Sequence, residues 1–298
     1  MKIAFLISAH TDAPQLYRLV KALPDDSDFF IHIDSKADIK PFTDVLGKDD
    51  RAHFIEHRVN VIWGSLNEVE YQMELIREAL KAGKHYDRLI TLSGMDYPVW
   101  SKAQIVEFFN DNAGKEFLSG IDLTTQDSAA RLYREYRFYA QKQWKNGSIG
   151  SKFRVTLRKI VGLIGIRKPL VFVAGSKRYN LYKGAAWWAV SQELAEFVLK
   201  EWDEDAEMKE YFKTSFCPAE TFTQTVAFNS ALWRDKCIEF KGDWPGLNAL
   251  TPLTYIYYHP VIKIMTEEDY DDIMNSKKMF ARKFITGKSD KLVEKLRS

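Results

Sequence analysis

The stretch Ile90–Ser101, "ITLSGMDYPVWS", decides the fold, because an apolar strand ends here in Ser, Gly, a lone Asp and a Pro. In open α/β sheets, ligands collect outside the carboxyl ends of the strands. Polar or aromatic residues also follow the earlier runs "IAFLIS", "DFFIHI" and "VI". We therefore expect one crevice at this edge of the sheet. Its expected lining residues are His10, Asp34, Trp63 and Asp96.

Strand and helix patterns alternate along the chain, which is typical of a doubly wound α/β sheet. The helix predicted over Ala13–Leu23, for example, has its leucines on one face. Further predicted elements are helices at Lys40–Leu46, Ser65–Ala82 and Lys102–Asn112, strands at Ala52–Ile55, Glu116–Ser119 and Ile238–Phe240, and helices from Gln192 and Pro218. Ser65 and Glu68 have the spacing of a capping box. Without repeats or long linkers, residues 1–298 are predicted to form a single Rossmann-like domain.

Composition excludes several classes of protein. The chain has two cysteines, Cys217 and Cys237, without partners at metal-ligand spacing, so neither a disulfide framework nor a structural zinc site is indicated. No apolar run reaches membrane-spanning length, and "MKIAFLISAH" has the pattern of a first strand rather than of a leader. We expect a cytoplasmic protein, with the inner face of the cell membrane as a place of contact.

Positive charge is concentrated between residues 131 and 168. Eleven Lys or Arg face one acid there, Glu135, a local charge of +10 in a chain whose net charge is +2. Aromatic residues are interleaved with the cations, which favours an anionic partner such as phospholipid headgroups or a lipid-linked diphosphate. A solvated insertion without a partner is the equally weighted alternative.

The common nucleotide motifs are absent. No GxGxxG or GxxxxGK[ST] follows a strand, and neither HExxH nor GxSxG occurs. The acid-x-acid strings "DSD" and "DED" lie in polar turns and are interpreted as solvated charges. Asp96 could hold a sugar hydroxyl, but an Asp two residues before Pro98 is also ordinary turn chemistry.

Two segments in the second half carry candidate charged residues. In "CPAE", Glu220 would either cap the first turn of a helix or face a crevice as general base. In "FARKF", Arg282 and Lys283 stand between two Phe, and such cations suit a diphosphate.

Tryptophans are candidates for stacking on sugars. Trp187 and Trp188 are adjacent, so on a strand one of them would face the cleft and the other the core. Trp244, in "GDWPGL", either stacks on a sugar or packs its loop.

Taken in order, seven segments resemble the core-2/I-branching β-1,6-N-acetylglucosaminyltransferases, a family that also contains the peptide O-xylosyltransferases. The segments are "ISAHTDAPQLYRLVKAL", "IHIDSK", "VIWGS", "LSGMDYPV", "YKGAAWWAVSQE", "CPAETFTQT" and "TEEDYDDIMNSKKMFARKF". The resemblance covers nearly the whole chain and is lost across 131–168. It implies a GT-A-like α/β fold with a mixed central sheet and an inverting transferase that takes a UDP-sugar without a metal ion or other cofactor.

The resemblance also implies roles for residues. Glu220 matches the catalytic base, with Ala219 where the family usually has an acid, and the cations of "FARKF" match those that offset the diphosphate. His10 and Asp34 match positions on the uridine side, Asp96 the sugar side, and Trp187 or Trp188 the acceptor side. An upstream family cation has no match between Tyr257 and Lys263.

The sequence therefore predicts transfer of a sugar, with N-acetylglucosamine preferred over xylose, to a carbohydrate or lipid-linked glycan. Two rival hypotheses stay open. One is a metal-dependent transferase with His32 and Asp34 as ligands; the other is a non-catalytic module that binds glycans or nucleic acid. Nucleic acid is not the partner that we expect.

Overall fold

The computed structural model describes residues 1–126 and 129–297 and contains a central sheet of mainly parallel strands. The strands, in chain order, are β1 (Ile3–Ala9), β2 (Ser27–Ile33), β3 (Ala52–Phe54), β4 (Arg88–Ser93), β5 (Asp96–Pro98), β6 (Ser119–Asp122), β7 (Val171–Ala174), β8 (Lys177–Asn180), β9 (Tyr182–Lys183), β10 (Ala189–Val190), β11 (Ile238–Phe240), β12 (Thr254–Ile256) and β13 (Phe280–Arg282).

The α-helices, in chain order, are α1 (Ala13–Ala22), α2 (Lys40–Leu46), α3 (Asn67–Lys81), α4 (Lys102–Asp111), α5 (Ile149–Leu163), α6 (Gln192–Glu204), α7 (Ala206–Lys213), α8 (Phe222–Phe228), α9 (Leu247–Leu250), α10 (Tyr270–Asn275) and α11 (Asp290–Arg297). Both faces of the central sheet are covered, by α3, α6 and α8 on one side and by α1, α2 and α4 on the other. Short 3-10 turns cover Leu123–Thr125, Ala129–Arg134, Pro218–Glu220, Arg234–Lys236 and Glu267–Asp269.

The central sheet has the order β10-β4-β1-β2-β3, with β10 antiparallel to β4 and the other pairs parallel. The predicted α/β class with a mixed sheet is confirmed. From β1 the chain moves outward through β2 and β3 and then crosses back to β4 on the other side of β1. The strand order thus reverses between β1 and β4, the place where α/β sheets open a ligand crevice.

Alternation along β1 explains why both faces of the sheet are apolar. Ala4 and Leu6 pack with α3, α6 and α8 in one cluster, whereas Ile3, Phe5 and Ile7 pack with α1, α2 and α4 in another. A continuous apolar run is what a parallel strand buried on both faces requires.

A second small sheet places β13 beside β5, the short strand that follows β4. In the order β12-β13-β5, β13 runs antiparallel to β5, and Arg282 lies opposite Asp96 in the register. The pairing brings together residues 186 positions apart. It positions the "FARKF" segment at the end of β4.

Three local predictions differ from the structure. Glu68 does not close a capping box on Ser65; its carboxylate accepts a hydrogen bond from the Gly64 N–H at 2.8 Å. The strand expected at 116–119 begins at Ser119, and before it Phe117 forms only an isolated antiparallel bridge with Ala189. The helix expected from Pro218 is a 3-10 turn followed by α8.

Gly184 gives a test of the packing between β6 and β9. A Cβ atom at Gly184 would lie 2.0 Å from the Ser119 carbonyl oxygen, whereas one at Gly114 would have no neighbour within 4 Å. We expect Gly184→Ala to lower the free energy of unfolding in urea by roughly 1–3 kcal/mol, since backbone must move to admit the methyl group. Gly114→Ala is the matched control, and an equal effect of both substitutions would contradict this packing.

Candidate active site

A cleft of about 980 Å³ opens at the carboxyl ends of β1, β2 and β4, where the strand order reverses. Its lining residues include Ser8, His10, Asp34, Lys36, Trp63, Glu68, Tyr71, Ser93, Tyr133, Lys183, Trp187, Cys217, Glu220, Trp244 and Arg282. Most of the candidate residues predicted from the sequence therefore share one cavity. Residues from the first strand to the last contribute to it.

Asp96 lies beneath the cleft rather than on its wall. Its side chain is fully buried, and its two oxygens accept hydrogen bonds from the Ser93 backbone N–H at 2.8 Å, from the Trp187 indole at 3.0 Å and from Arg282 at 3.1 Å. Burial raises the pKa of this carboxyl, and the guanidinium of Arg282 opposes that rise. The expected contact of Asp96 with a donor sugar is therefore corrected: its buried carboxylate instead holds the side chains of Trp187 and Arg282.

Arg282 and Trp187 form the floor of the cleft. The Arg282 guanidinium lies 4.8 Å from the centre of the Trp187 ring, and both side chains are tied to Asp96. Trp188 points the other way into the core and is 2 % exposed. The expectation that Trp188 contacts the acceptor is therefore corrected, because a ligand cannot reach a side chain in the core. Trp187 is the member of the pair that faces the cleft.

Positive charges converge near the end of β1. Partial burial lowers the pKa of His10, and the charge of Asp34 raises it. The positive charges of Arg282, Lys283 and Lys36 lower it further, so these three cations lie within electrostatic reach of one imidazole. An anion at this point would be attracted by all of them.

Lys36 was not among the residues predicted from the sequence. Its ammonium lies 3.1 Å from an Asp34 oxygen and also donates to the Val61 carbonyl, and the side chain lines the cleft. The signal was present as the Lys of "IHIDSK", two residues after Asp34 and just past the end of β2. Lys263, at the end of the segment Tyr257–Lys263 that lacks a match to the upstream family cation, is paired with Asp269 at 2.5 Å.

Glu220 faces the cleft from the 3-10 turn that follows Cys217. One of its oxygens lies 2.6 Å from the ammonium of Lys183, which also donates to the Gly184 carbonyl at 2.9 Å. The Gly184 N–H in turn donates to the Glu220 carbonyl at 2.8 Å. Glu220 is thus held by a lysine and by backbone; it does not cap a helix with its side chain, the alternative that the sequence left open.

Tyr133 completes the surroundings of Glu220. Burial raises the pKa of its phenol well above the ordinary value, and the negative charge of Glu220 adds to the effect. The ammonium of Lys183 also lies 5.9 Å from the Tyr133 ring and 5.6 Å from the Trp244 ring. Trp244, at 39 % exposure, and Trp63, at 78 %, stand on the outer wall, where a ligand can reach them.

Glu68 is a second carboxylate in the cleft. Burial raises its pKa from 4.5 to about 7, the Gly64 N–H acts in the opposite direction, and the charge of Glu220 raises it again. A capping role was predicted for Glu68 because Ser65 precedes it by three residues. That Glu68 lies near Glu220 in the cleft depends on the tertiary packing of α3 against the turn at Glu220, which the local sequence does not show.

His32 and Asp34, the metal ligands of the rival hypothesis, are both buried, and of the two Asp34 lines the cleft. His32 is fully buried, its Nε2 accepts a hydrogen bond from the Val59 N–H at 2.9 Å, and its ring stacks on Tyr71. Burial lowers its pKa to about 4. Across residues 1–126 and 129–297, no group of three or more His, Cys, Asp or Glu is arranged to hold a metal ion. This donor set does not fit the rival's ion.

Comparison with known proteins gives the family. The profile described as "Branch: Core-2/I-Branching enzyme" matches residues 3–273. The chain belongs to the core-2/I-branching enzyme family. The resemblance inferred from the motifs is thereby confirmed.

Several relatives are xylosyltransferases. Xylosyltransferase oxt of Drosophila melanogaster is 26% identical over 237 residues, which are 77% of this chain and 24% of the relative. Xylosyltransferase 2 of Homo sapiens is 26% identical over 240 residues, 77% of this chain and 25% of the relative. The chain therefore spans about a quarter of the length of these curated relatives.

Among solved structures, 4-diphosphocytidyl-2C-methyl-D-erythritol synthase from Anaerococcus prevotii aligns with a TM-score of 0.39 and 13% identity. The alignment covers 92% of this chain and 93% of that one.

Glu68 predicts a pH dependence of stability. Because its pKa is higher in the folded protein than in the unfolded chain, the folded state binds more protons between about pH 4.5 and about pH 7. The free energy of unfolding should therefore fall as the pH rises through this window. The Glu68→Gln variant lacks this titrating group. The free energy of unfolding of the variant minus that of wild type should therefore increase as the pH rises from about 5 to about 8.

Chemical denaturation at a series of pH values measures this difference. Glu107→Gln, on the exposed surface of α4, is the matched control and should track wild type. A gap between Glu68→Gln and wild type that does not change with pH would contradict the assignment.

Proposed function

We propose that the protein is an inverting GT-A-like glycosyltransferase that moves a sugar from a UDP donor to a carbohydrate hydroxyl. One observation carries the proposal: a carboxylate suited to act as base, Glu220, and a set of fixed cations, led by Arg282, line the same cleft. A transferase of this kind needs both, at opposite sides of the anomeric carbon. Membership in a glycosyltransferase family supports this interpretation.

Glu220 is the proposed base. It accepts the proton of the acceptor hydroxyl while that oxygen forms its bond to the anomeric carbon, and the bond from this carbon to the UDP oxygen breaks on the opposite face. Lys183 pairs with one carboxylate oxygen at 2.6 Å and so fixes the position of the Glu220 carboxylate, which lines the cleft. A single base is sufficient, because inversion takes one displacement.

Arg282 and Lys283 are the proposed partners of the diphosphate, with no metal ion required. Arg282 is held from below by Asp96, so its guanidinium is oriented before the donor arrives. A cation in fixed position stabilises the negative charge that grows on departing UDP, which is one of the services of a divalent ion. Lys36 adds a third positive charge to the same region.

The remaining candidates divide into a donor side and an acceptor side. His10, Asp34 and Trp63 are assigned to the uridine end, next to the cations, while Trp187 and Trp244 are assigned to the acceptor. N-acetylglucosamine is the preferred sugar. Xylose is the second candidate because several relatives are named xylosyltransferases. We propose a carbohydrate or lipid-linked glycan as acceptor, with no role for nucleic acid.

Replacing Glu220 tests the base. With UDP-N-acetylglucosamine and UDP-xylose offered separately, slow release of UDP to water should occur in wild type and fall by roughly a hundredfold or more in Glu220→Gln. UDP itself should still bind the variant, as measured by titration calorimetry. Glu68→Gln is assayed beside it, since Glu68 is the other carboxylate of the cleft.

Two results would contradict this role. Abolition of UDP release by Glu68→Gln with retention in Glu220→Gln would move the base to α3. Binding of glycans by wild type without release of UDP from either donor would favour the non-catalytic module.

Replacing Lys283 tests the diphosphate partner. Loss of an ammonium that pairs with phosphate oxygens should weaken the binding of UDP by on the order of tenfold. The binding of uridine should be nearly unchanged, because uridine carries no phosphate. Lys288→Ala, at an exposed position five residues further on, is the matched control. Equal weakening of UDP and uridine by Lys283→Ala would place this lysine away from the diphosphate.

A further inference from the structure

Helix α5 carries large apolar side chains into solvent. Its 15 residues all lie in the described part of the chain, and none of them is buried. Ile149 is 88% exposed and Leu163 is 85% exposed, and Phe153, Ile160 and the residue that follows the helix, Ile164, are also exposed. Isolated exposed apolar residues are ordinary on protein surfaces, but a concentration of them on one helix marks an interaction site.

These side chains form a stripe along one side of the helix. At 100° per residue, positions 149, 153, 160, 163 and 164 fall within about a third of the circumference. Lys152 and Lys159 lie along one edge of the stripe and are exposed. The arrangement, an apolar face edged by lysines, is that of helices that lie in the plane of a membrane interface.

The segment around α5 is attached firmly to the rest of the protein. The Lys168 N–H donates to the Arg134 carbonyl at 2.8 Å, and the Lys168 ammonium donates to the Tyr211 carbonyl at 2.7 Å and to the Thr214 hydroxyl at 2.9 Å. Residues 135–167 therefore leave and rejoin the fold at neighbouring points. Tyr133, just before the exit, forms part of the cleft wall beside Glu220.

We infer that α5 lies in the surface of an anionic phospholipid bilayer, with its apolar stripe among the upper acyl chains and its lysines at the headgroups. Charge selects this partner over a second copy of the chain. Residues 131–168 carry +10, which repels the same segment of another molecule and attracts anionic headgroups. No helix in the part of the chain that the structure describes is long and apolar enough to cross a bilayer.

Docking through α5 would set the cleft close to the membrane surface. A lipid-linked acceptor could then reach Glu220 without leaving the bilayer. That consequence rests on the proposed function, whereas the binding of α5 to lipid does not depend on it.

Co-sedimentation of the protein with vesicles tests the inference. We expect pelleting with an equal mixture of phosphatidylcholine and phosphatidylglycerol, and binding on the order of tenfold weaker to phosphatidylcholine alone. The double variant Ile149→Ser with Leu163→Ser should weaken binding to the mixed vesicles by about tenfold or more. Lys152→Gln with Lys159→Gln should reduce the preference for the mixed vesicles.

The matched control is Val173→Ser with Leu232→Ser, which removes two exposed apolar side chains outside α5 and should bind like wild type. Equal binding to both kinds of vesicle, or unchanged binding of the Ile149 and Leu163 double variant, would overturn the inference. The inference would also be overturned if wild type did not bind vesicles and light scattering showed that wild type is a dimer and the double variant a monomer. Because no readout uses sugar transfer, failure here and failure of the proposed function are separately visible.

Discussion

The buried carboxylate of Asp96 is the constraint on which the cleft depends. A carboxylate removed from water is costly unless it is paired and hydrogen-bonded, and Asp96 meets this requirement with one backbone N–H, one indole and one guanidinium. Satisfying it joins the end of β4 to Trp187 and to β13. The lone acid after β4 therefore holds a cation, Arg282, in a fixed position at the floor of the cleft.

Local sequence signals were sufficient for the fold but not for the connections within the site. The apolar run of β1 predicted a strand buried on both faces, and the residues after β1, β2 and β4 predicted the crevice, because both depend on neighbours in the chain. The burial of Asp96 depends on β13, which pairs with β5 across 186 positions. Lys183 lies in a short strand and gave no local sign that it would meet Glu220.

The basic segment shows the same division between composition and arrangement. Counting charges predicted an anionic partner for residues 131–168, and the count needs no structure. Predicting the exposed stripe of α5 requires knowing which face of the helix, if any, packs against the rest of the protein. The spacing of Ile149, Phe153 and Ile160 is typical of an amphipathic helix, but the apolar face of such a helix ordinarily packs against the core. Here that face is turned to solvent.

The dissociation constant of UDP, measured by titration calorimetry in EDTA and again in excess Mn²⁺, tests most directly whether fixed cations, led by the Arg282 that Asp96 holds, replace a divalent ion. Fixed cations predict constants that agree within about twofold, with enthalpies of the same sign. UDP binding that disappears in EDTA and returns with Mn²⁺ would contradict that role for Arg282 and its neighbours.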